Sequence, residues 1–159
     1  HYGPVVPVED YPLEEFDKVI AVHLRAAFLL SKLVLPGMYA KQSGVILNIS
    51  SLSAKMAYAW GSAYAAAKAG MLALTRVTAA EGARKGVRVN AIGPGVVETP
   101  LTAPIKANAE WYRAYAAKTV FNRWARADEM AGPAVFLASD MSAYVTGCII
   151  MADGGFRTI

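Results

Sequence analysis

Cysteine and charge are both scarce in this sequence, and each scarcity excludes a class of protein. The single cysteine, Cys148, cannot form an internal disulfide and has no C-x-x-C partner for zinc or thiol redox chemistry. This favours a reducing, cytoplasmic compartment, and we assign no metal-binding residues. Charged residues make up 18% of the 159 residues and hydrophobic residues 55%, which excludes a disordered chain. We predict a single domain over residues 1–159.

Long hydrophobic and long basic runs are also missing. The longest uninterrupted apolar stretches, such as 45–47 and 148–152, are far shorter than the ~20 residues of a membrane-spanning helix. The first residues lack the pattern of a signal peptide. We therefore predict no membrane segment. The net charge is +4, but the basic residues are scattered, which favours a solvated surface over one that binds nucleic acid.

The spacing of apolar residues predicts alternating helices and strands. Helical spacing extends over about residues 13–41, and an Ala-rich segment predicts a second long helix at about 62–84. Runs rich in β-branched residues at 45–50 and 87–92 are typical of buried parallel strands. Strand, helix, strand implies a right-handed parallel crossover. We expect an α/β fold with a doubly wound, Rossmann-like parallel sheet.

The C-terminal third of the chain has a different composition. Prolines and bulky aromatic residues mark residues 99–126, which we interpret as a lid beside a pocket that favours an apolar or mid-sized substrate. Asp128 is placed to cap a helix that continues through Ala138, and residues 148–152 are the last predicted strand.

Three polar residues are candidates for catalysis. Tyr64 and Lys68 lie four apart in the second predicted helix, so their side chains share one face. A nearby ammonium favours the phenolate, which moves a tyrosine toward acid/base behaviour at neutral pH. The pair alone is also compatible with an ordinary helix-surface contact. Ser51, however, follows the carboxyl end of the first predicted strand, where open α/β sheets bind ligands, and we predict that the three groups converge there.

Four segments, taken in order, resemble the signature segments of the short-chain dehydrogenase/reductase family. They are NISS at 48–51, YAAAK at 64–68, RVNAIGPGVVET at 88–99, and the ending at 136–155, which contains FLASD, YVTG and DGG. The likeness covers essentially the whole chain.

The resemblance implies an oxidoreductase that interconverts a ketone and a secondary alcohol with NAD or NADP. Tyr64 would be the general acid/base, Ser51 would hydrogen-bond the same oxygen, and Lys68 would bind the nicotinamide ribose and lower the pKa of Tyr64. The cofactor-binding residues implied by the resemblance are Tyr64, Lys68, Pro94, Gly95, Val97 and Thr99. A homodimer or homotetramer that acts on a small-molecule carbonyl or alcohol is expected.

The chain departs from the family pattern in two places. His23 stands where the family has the Asn of a catalytic tetrad, so we keep it as a catalytic candidate, although a lone histidine on an apolar helix is often a core residue. Residues 93–95 lack the dinucleotide fingerprint, because Glu98 occupies the third glycine position. The family's glycine-rich turn would precede His1, where no initiator Met stands. We therefore interpret the chain as a C-terminal, catalytic portion whose sheet is incomplete on its N-terminal side.

Two other functions are open to this sequence. A truncated, non-catalytic module for oligomerisation or interaction would use the apolar surfaces of the two long helices. A serine hydrolase built on Ser51 is disfavoured, since neither G-x-S-x-G nor Ser-x-x-Lys occurs and no acid–histidine pair is placed beside that serine.

Overall fold

Parallel strands form the sheet in a computed structural model that describes residues 1–56 and 58–156. The strands of the described residues are β1 (Gly44–Ile49), β2 (Val87–Pro94), β3 (Val97–Glu98), β4 (Ala125–Arg126) and β5 (Ile149–Ala152). β1, β2 and β5 lie side by side in that order, with Gly44 opposite Val87 and Ala91 opposite Ile149. β3 and β4 form a separate short parallel pair. Both of the strands predicted around the second helix are confirmed.

Helices join and cover these strands. The α-helices are α1 (Leu13–Ile20), α2 (Ala26–Lys41), α3 (Ser62–Gly82), α4 (Ala103–Ala107), α5 (Ala109–Ala117) and α6 (Ala131–Ala138). Short 3₁₀ helices occupy Val8–Asp10, Leu52–Ala54, Ala83–Lys85, Ala127–Met130 and Asp140–Ser142. α1 and α2 are continuous through a π-helical turn, Ala21–Arg25, so the long helix predicted at 13–41 is confirmed.

Side chains that alternate along β2 show that helices cover both faces of the sheet. Val87 and Val89 are fully buried and pack with Ala79 of α3 and with residues of α2. Arg88, between them, points to the other face, where its guanidinium donates to the backbone carbonyls of Leu137 in α6 (3.0 Å) and of Ser139 (3.0 Å). Because successive strand residues point to opposite faces, α3 and α6 lie on opposite sides of the sheet. The doubly wound class is confirmed.

Small residues in α3 let the long N-terminal helix approach closely. Val19 of α1 is fully buried against Ala63 and Ala67 of α3. A Cβ on Gly70 would lie 2.8 Å from a methyl carbon of Leu24, so no larger residue fits without a shift of that leucine. This packing holds the first turns of α3, which carry Tyr64 and Lys68, against the π-helical turn.

The continuous helix Leu13–Lys41 is long and apolar enough, by length and composition, to cross a membrane. It has 29 residues and an apolar window with a mean hydropathy of 1.7, of which 11% is buried within the structure. Isolated charges interrupt the apolar residues of this helix, so uninterrupted apolar runs, from which no membrane segment was predicted, do not indicate this property. Core helices of soluble proteins pass the same test, so the property alone does not place the helix in a bilayer.

The aromatic segment 99–126 folds as α4, α5 and β4. Trp124 is 3% exposed; its ring stacks on Tyr112 at 5.2 Å, and its indole N–H donates to the Tyr112 carbonyl at 3.0 Å. The prediction that Asp128 caps the next helix is wrong. Glu129 accepts the hydrogen bond from the backbone N–H of Arg126 (2.8 Å), whereas Asp128 is paired with the Arg126 side chain. A 3₁₀ turn precedes α6 and moves the cap away from Asp128.

Candidate active site

The carboxyl end of β1 is tied to its neighbours by two adjacent serines. The Ser50 backbone N–H donates to the carbonyl of Ile92 in β2 (2.7 Å), and its buried hydroxyl donates to the Lys68 carbonyl in α3 (3.2 Å). Ser51 follows in an extended conformation, and its hydroxyl accepts a hydrogen bond from the Ser53 N–H (3.1 Å). These contacts fix the Ser51 side chain at the edge of the sheet where the strands end. No sequence pattern indicated the part played by Ser50.

Lys68 is an almost fully buried cation. Its side chain is 6% exposed, and its ammonium donates to the Ile49 carbonyl at the end of β1 (2.8 Å). Burial lowers the pKa of Lys68 to about 8, because a low-dielectric environment disfavours the charged form. The ammonium lies over the Tyr64 ring, 5.5 Å from its centroid. A positive charge is thereby held beside the phenol at neutral pH.

Tyr64 is subject to two opposing influences. Burial raises the pKa of its phenol, and a hydrogen bond with the Ser51 side chain acts to lower it. The net direction is upward, which is opposite to the lowering by Lys68 that the resemblance implies. The structure nevertheless brings Ser51, Tyr64 and Lys68 together, as predicted.

His23 lies in the π-helical turn, against the edge of the same phenol. Its ring meets Tyr64 in a T-shaped contact, with centroids 5.2 Å apart, and its Nε2 is 2.7 Å from the His1 carbonyl. Burial, with a further contribution from the charge of Lys68, lowers the pKa of His23 to about 4. The imidazole is therefore neutral at pH 7. Because a carbonyl only accepts, we assign the proton to Nε2 and leave Nδ1 unprotonated.

The residues predicted to line the nicotinamide end lie at the same edge of the sheet. They are Pro94, which ends β2, and Gly95, Val97 and Thr99, which follow it. Ile49 pairs with Ile92, so this segment begins close to the end of β1. Thr102, which sequence reasoning missed, organises the segment: its hydroxyl donates to the Val97 carbonyl (2.6 Å) and accepts from the Thr99 N–H (3.0 Å).

The chain is similar to known proteins over nearly its whole length. A family model described as Enoyl-(Acyl carrier protein) reductase matches residues 3–157. Uncharacterized oxidoreductase YxbG of Bacillus subtilis is 44% identical over 154 residues, which cover 93% of this chain and 56% of that protein. Cis-4-hydroxycyclohexanecarboxylate dehydrogenase of Sinomonas cyclohexanicum is 38% identical over 156 residues, which cover 98% and 62%. The chain belongs to the short-chain dehydrogenase/reductase family.

Solved structures of the family superpose closely. A gluconate 5-dehydrogenase from Burkholderia cenocepacia J2315, in complex with NADP and tartrate, matches with a TM-score of 0.96 at 30% identity, covering 99% of this chain and 62% of that one. The chain thus spans between 56% and 62% of the length of these relatives.

The donors of this short-chain dehydrogenase chain fit the ribose end of a nicotinamide cofactor. An ammonium has three N–H donors, and within the described residues the Lys68 ammonium donates to one acceptor, the Ile49 carbonyl. The remaining donors suit the paired hydroxyls of a ribose. No G-x-G-x-x-G occurs in the sequence, so these residues do not form the backbone cradle that binds a pyrophosphate.

Sequence reasoning missed two tyrosines near the site. The Tyr2 ring stacks on Tyr64, with centroids 4.5 Å apart and planes inclined by 29°. Tyr58 lies in the segment between the Ser51 turn and α3, where its ring meets Phe156 edge-on at 6.3 Å. No local pattern could have indicated these contacts, because each joins residues far apart in the chain.

No metal site is apparent in the described part of the chain, since no group of three or more His, Cys, Asp or Glu side chains is arranged to hold an ion there.

Proposed function

We propose that this chain is the catalytic portion of an NAD(P)-dependent oxidoreductase that interconverts a ketone and a secondary alcohol. The observation that carries the proposal is the convergence of Ser51, Tyr64 and Lys68 at the carboxyl end of β1, where the Ser51 side chain acts to lower the pKa of the Tyr64 phenol and the Lys68 ammonium lies 5.5 Å from the centroid of the phenol ring. Family membership supports the same reaction class, because the two relatives with described activities that are named above are dehydrogenases.

The proposed role of Tyr64 is to move one proton at its phenol oxygen. In reduction the phenol O–H donates its proton to the carbonyl oxygen of the substrate, and in oxidation the phenolate takes the proton from the alcohol. Ser51 is the second donor to that oxygen and stabilises the negative charge that develops there. When bound, the nicotinamide cofactor supplies or accepts the hydride.

Lys68 has two proposed roles, one for binding and one for the proton. Its spare N–H donors bind the hydroxyls of the nicotinamide ribose, and its charge stabilises the Tyr64 phenolate that remains after proton transfer. Because the pKa of Tyr64 is raised in the structure, the phenol is protonated at neutral pH and is ready to act as the acid in reduction.

His23 is proposed as a positioning residue. Its neutral ring packs edge-on with the Tyr64 ring, and its Nε2–H donates to the His1 carbonyl, which positions the segment that begins there. Pro94, Gly95, Val97 and Thr99 are proposed to line the nicotinamide, since they lie at the carboxyl end of the neighbouring strand.

Replacement of Tyr64 by Phe tests the catalytic assignment. In the natural polypeptide that contains this chain, Tyr64→Phe removes the transferable proton and retains the ring, so we expect kcat for ketone reduction to fall at least about 100-fold. Binding of NAD(P)H, followed by fluorescence titration, should remain within about threefold of wild type. Tyr144→Phe, which changes a fully exposed residue, is the control. Unchanged turnover in Tyr64→Phe contradicts the assignment.

One observation favours a second candidate, a non-catalytic module for oligomerisation or interaction. Large apolar side chains on α2 are exposed, among them Phe28, Leu30 and Leu33. Such a surface is typical of a protein–protein contact. Mass spectrometry of the polypeptide isolated from its natural source separates the two candidates: a mass that corresponds to these residues alone favours the module, and a longer polypeptide favours the enzyme.

A further inference from the structure

An aromatic side chain from outside α3 covers one face of the Tyr64 ring. The Tyr2 ring stacks on it, with centroids 4.5 Å apart and planes inclined by 29°. The far end of the Tyr2 side chain reaches the residue that precedes α3, since a Cβ placed on Gly61 would lie 3.4 Å from the Tyr2 hydroxyl. Tyr2 therefore lies along the first turn of the helix that carries the candidate acid/base.

The backbone on both sides of Tyr2 is anchored to the long N-terminal helix. The His1 carbonyl accepts a hydrogen bond from Nε2 of His23 (2.7 Å). Gly3 has a left-handed φ of 80°, and a Cβ there would lie 2.9 Å from a methyl carbon of Val19 in α1. Only glycine combines this backbone conformation with so close an approach to the helix. Tyr2 is thus held between two fixed neighbours.

The hydrogen bond to His1 links the two aromatic rings that contact Tyr64. The His23 ring meets the Tyr64 ring in a T-shaped contact at 5.2 Å, and it binds the residue next to Tyr2 in the chain. Rotation of the Tyr64 ring about its Cβ–Cγ bond turns it out of the stack with Tyr2. The two contacts therefore favour a single orientation of the phenol.

Orientation decides whether a phenol can transfer its proton. The donor must lie within hydrogen-bond reach of the accepting atom, about 2.6–3.2 Å, and a misplacement of about 1 Å can lower a rate about 100-fold. Aromatic pairs with centroids about 4.5–7 Å apart attract each other beyond the area they bury. The stack of Tyr2 on Tyr64 meets this condition, so it stabilises the orientation seen in the structure.

We propose that Tyr2 is a positioning residue: its ring, stacked on Tyr64, holds the phenol oxygen in the orientation that transfers the proton. This inference rests on the proposed function, because it concerns the same reaction at the same site. The stack is formed by the ring of Tyr2 and not by its hydroxyl. Phenylalanine should therefore serve at this position, and an aliphatic residue should not.

Tyr2→Leu and Tyr2→Phe, made in the natural polypeptide that contains this chain, test the role of the ring. We expect Tyr2→Leu to lower kcat for ketone reduction about fivefold, the effect of losing one aromatic stack. The KM for NAD(P)H should stay within about twofold of wild type, because Lys68 and its donors are unchanged. Tyr2→Phe should retain kcat within about twofold.

The rate at which the Tyr64 ring flips provides a second measurement. It is followed by NMR on protein with ring-labelled tyrosine, and the Tyr64 signal is assigned by its loss in Tyr64→Phe. We expect the flip rate to rise about fivefold in Tyr2→Leu, because the stack no longer opposes rotation. It should be unchanged in Tyr2→Phe.

Tyr11→Leu is the matched control, because it makes the same change at a ring that packs in the cluster between α1 and α3 and meets Phe16 edge-on at 6.3 Å. A purely structural loss should lower the Tm of both leucine variants, whereas kcat should fall only in Tyr2→Leu. The inference is overturned if Tyr2→Leu keeps the kcat of wild type, if Tyr2→Phe loses kcat equally, or if Tyr11→Leu lowers it to the same extent.

The ring-flip measurement separates this inference from the proposed function, because it requires no turnover. Faster flips in Tyr2→Leu alone, with no reduction of any ketone by wild type, support the positioning of the ring by Tyr2 and contradict the proposed function. Turnover that Tyr2→Leu leaves unchanged supports the proposed function and contradicts the inference. Equal flip rates in all these proteins, without turnover, contradict both.

Discussion

At the scale of single residues, His23 makes the stability of the fold depend on pH. Its folded pKa of about 4 lies below the value of about 6.5 that an unperturbed histidine has, so the unfolded chain binds more protons between these two values. The free energy of unfolding must therefore fall as the pH is lowered from about 6.5 to about 4, and the loss is complete below pH 4. Burial is the main cause, and the charge of Lys68 adds to it.

Replacement of His23 by Asn should remove this part of the acid sensitivity. Between pH 7 and pH 4.5, we expect the free energy of unfolding of wild type to decrease by about 1 kcal/mol more than that of His23→Asn, after allowance for solvent screening. Urea denaturation followed by circular dichroism at both pH values measures the difference. Equal decreases in the two proteins contradict the lowered pKa.

The residues of the candidate site were predictable from the sequence only where their spacing within one element is diagnostic. Tyr64 and Lys68 share a helical face, and Ser51 follows a strand, so their convergence follows from local structure and sheet topology. The stacking of Tyr2 on Tyr64 is a contact across the fold, and nothing near Tyr2 in the sequence encodes it. The pKa of Tyr64 was equally unpredictable, because burial is a property of the whole fold.

At the scale of elements, the turns that precede β1 and β2 lie next to each other, and each contains one residue in the left-handed backbone conformation. Gln42 (φ 52°) ends α2 before β1, and Gly86 (φ 71°) follows α3 before β2. The strands begin in register, with Gly44 opposite Val87. A Cβ on Gly86 would lie 2.0 Å from the Gln42 carbonyl oxygen, so the two turns are in direct contact and only glycine fits at the second.

Gly86→Ala should therefore destabilise the fold by about 2–4 kcal/mol, from the left-handed backbone and the clash with a carbonyl together. Gly37→Ala is the matched control: Gly37 lies within α2 with nothing within 4 Å of its added Cβ, so alanine there should stabilise by about 0.5–1 kcal/mol. Thermal and urea unfolding measure both. Similar effects in the two variants contradict the proposed contact between the turns.

The elements themselves were largely predictable, because helical and strand periodicities differ and the strands are bounded by glycine and serine. The details of helix ends were not. The geometry of the preceding turn decides which side chain reaches a free N–H at a helix start. The 3₁₀ turn before α6 has Arg126 at its N-cap, and the side chain of Glu129, not that of Asp128, accepts the hydrogen bond from the Arg126 N–H. No sequence pattern predicted the π-helical turn in the long N-terminal helix, although this turn carries His23.

At the scale of the whole molecule, the chain leaves an apolar surface on its longest helix. The large apolar residues exposed on α2 are Phe28, Leu29, Leu30, Leu33 and Val34. A single apolar helix of this kind is covered by a partner, by further polypeptide or by a membrane. The family resemblance implies a homodimer or homotetramer, which would cover this surface with a second copy of the chain.

Leu33→Lys tests the oligomer. We expect wild type to sediment as a dimer or tetramer. Leu33→Lys places a charge in the centre of the exposed α2 surface, and we expect this variant to sediment more as a monomer. Leu33 is 76% exposed, so the substitution should leave the fold of each protomer intact, as circular dichroism can verify.

Leu13→Lys separates the effect of that surface from the effect of added charge. Leu13 is the same residue type, is 74% exposed, and lies at the opposite end of the long helix, so its replacement should leave the sedimentation coefficient unchanged. Sedimentation velocity over a tenfold range of concentration measures all three proteins. A monomeric wild type, recovery of wild type in the membrane fraction, or dissociation by both substitutions would each show that α2 does not join copies of this chain. Only a specific contact distinguishes two leucines of nearly equal exposure on one helix.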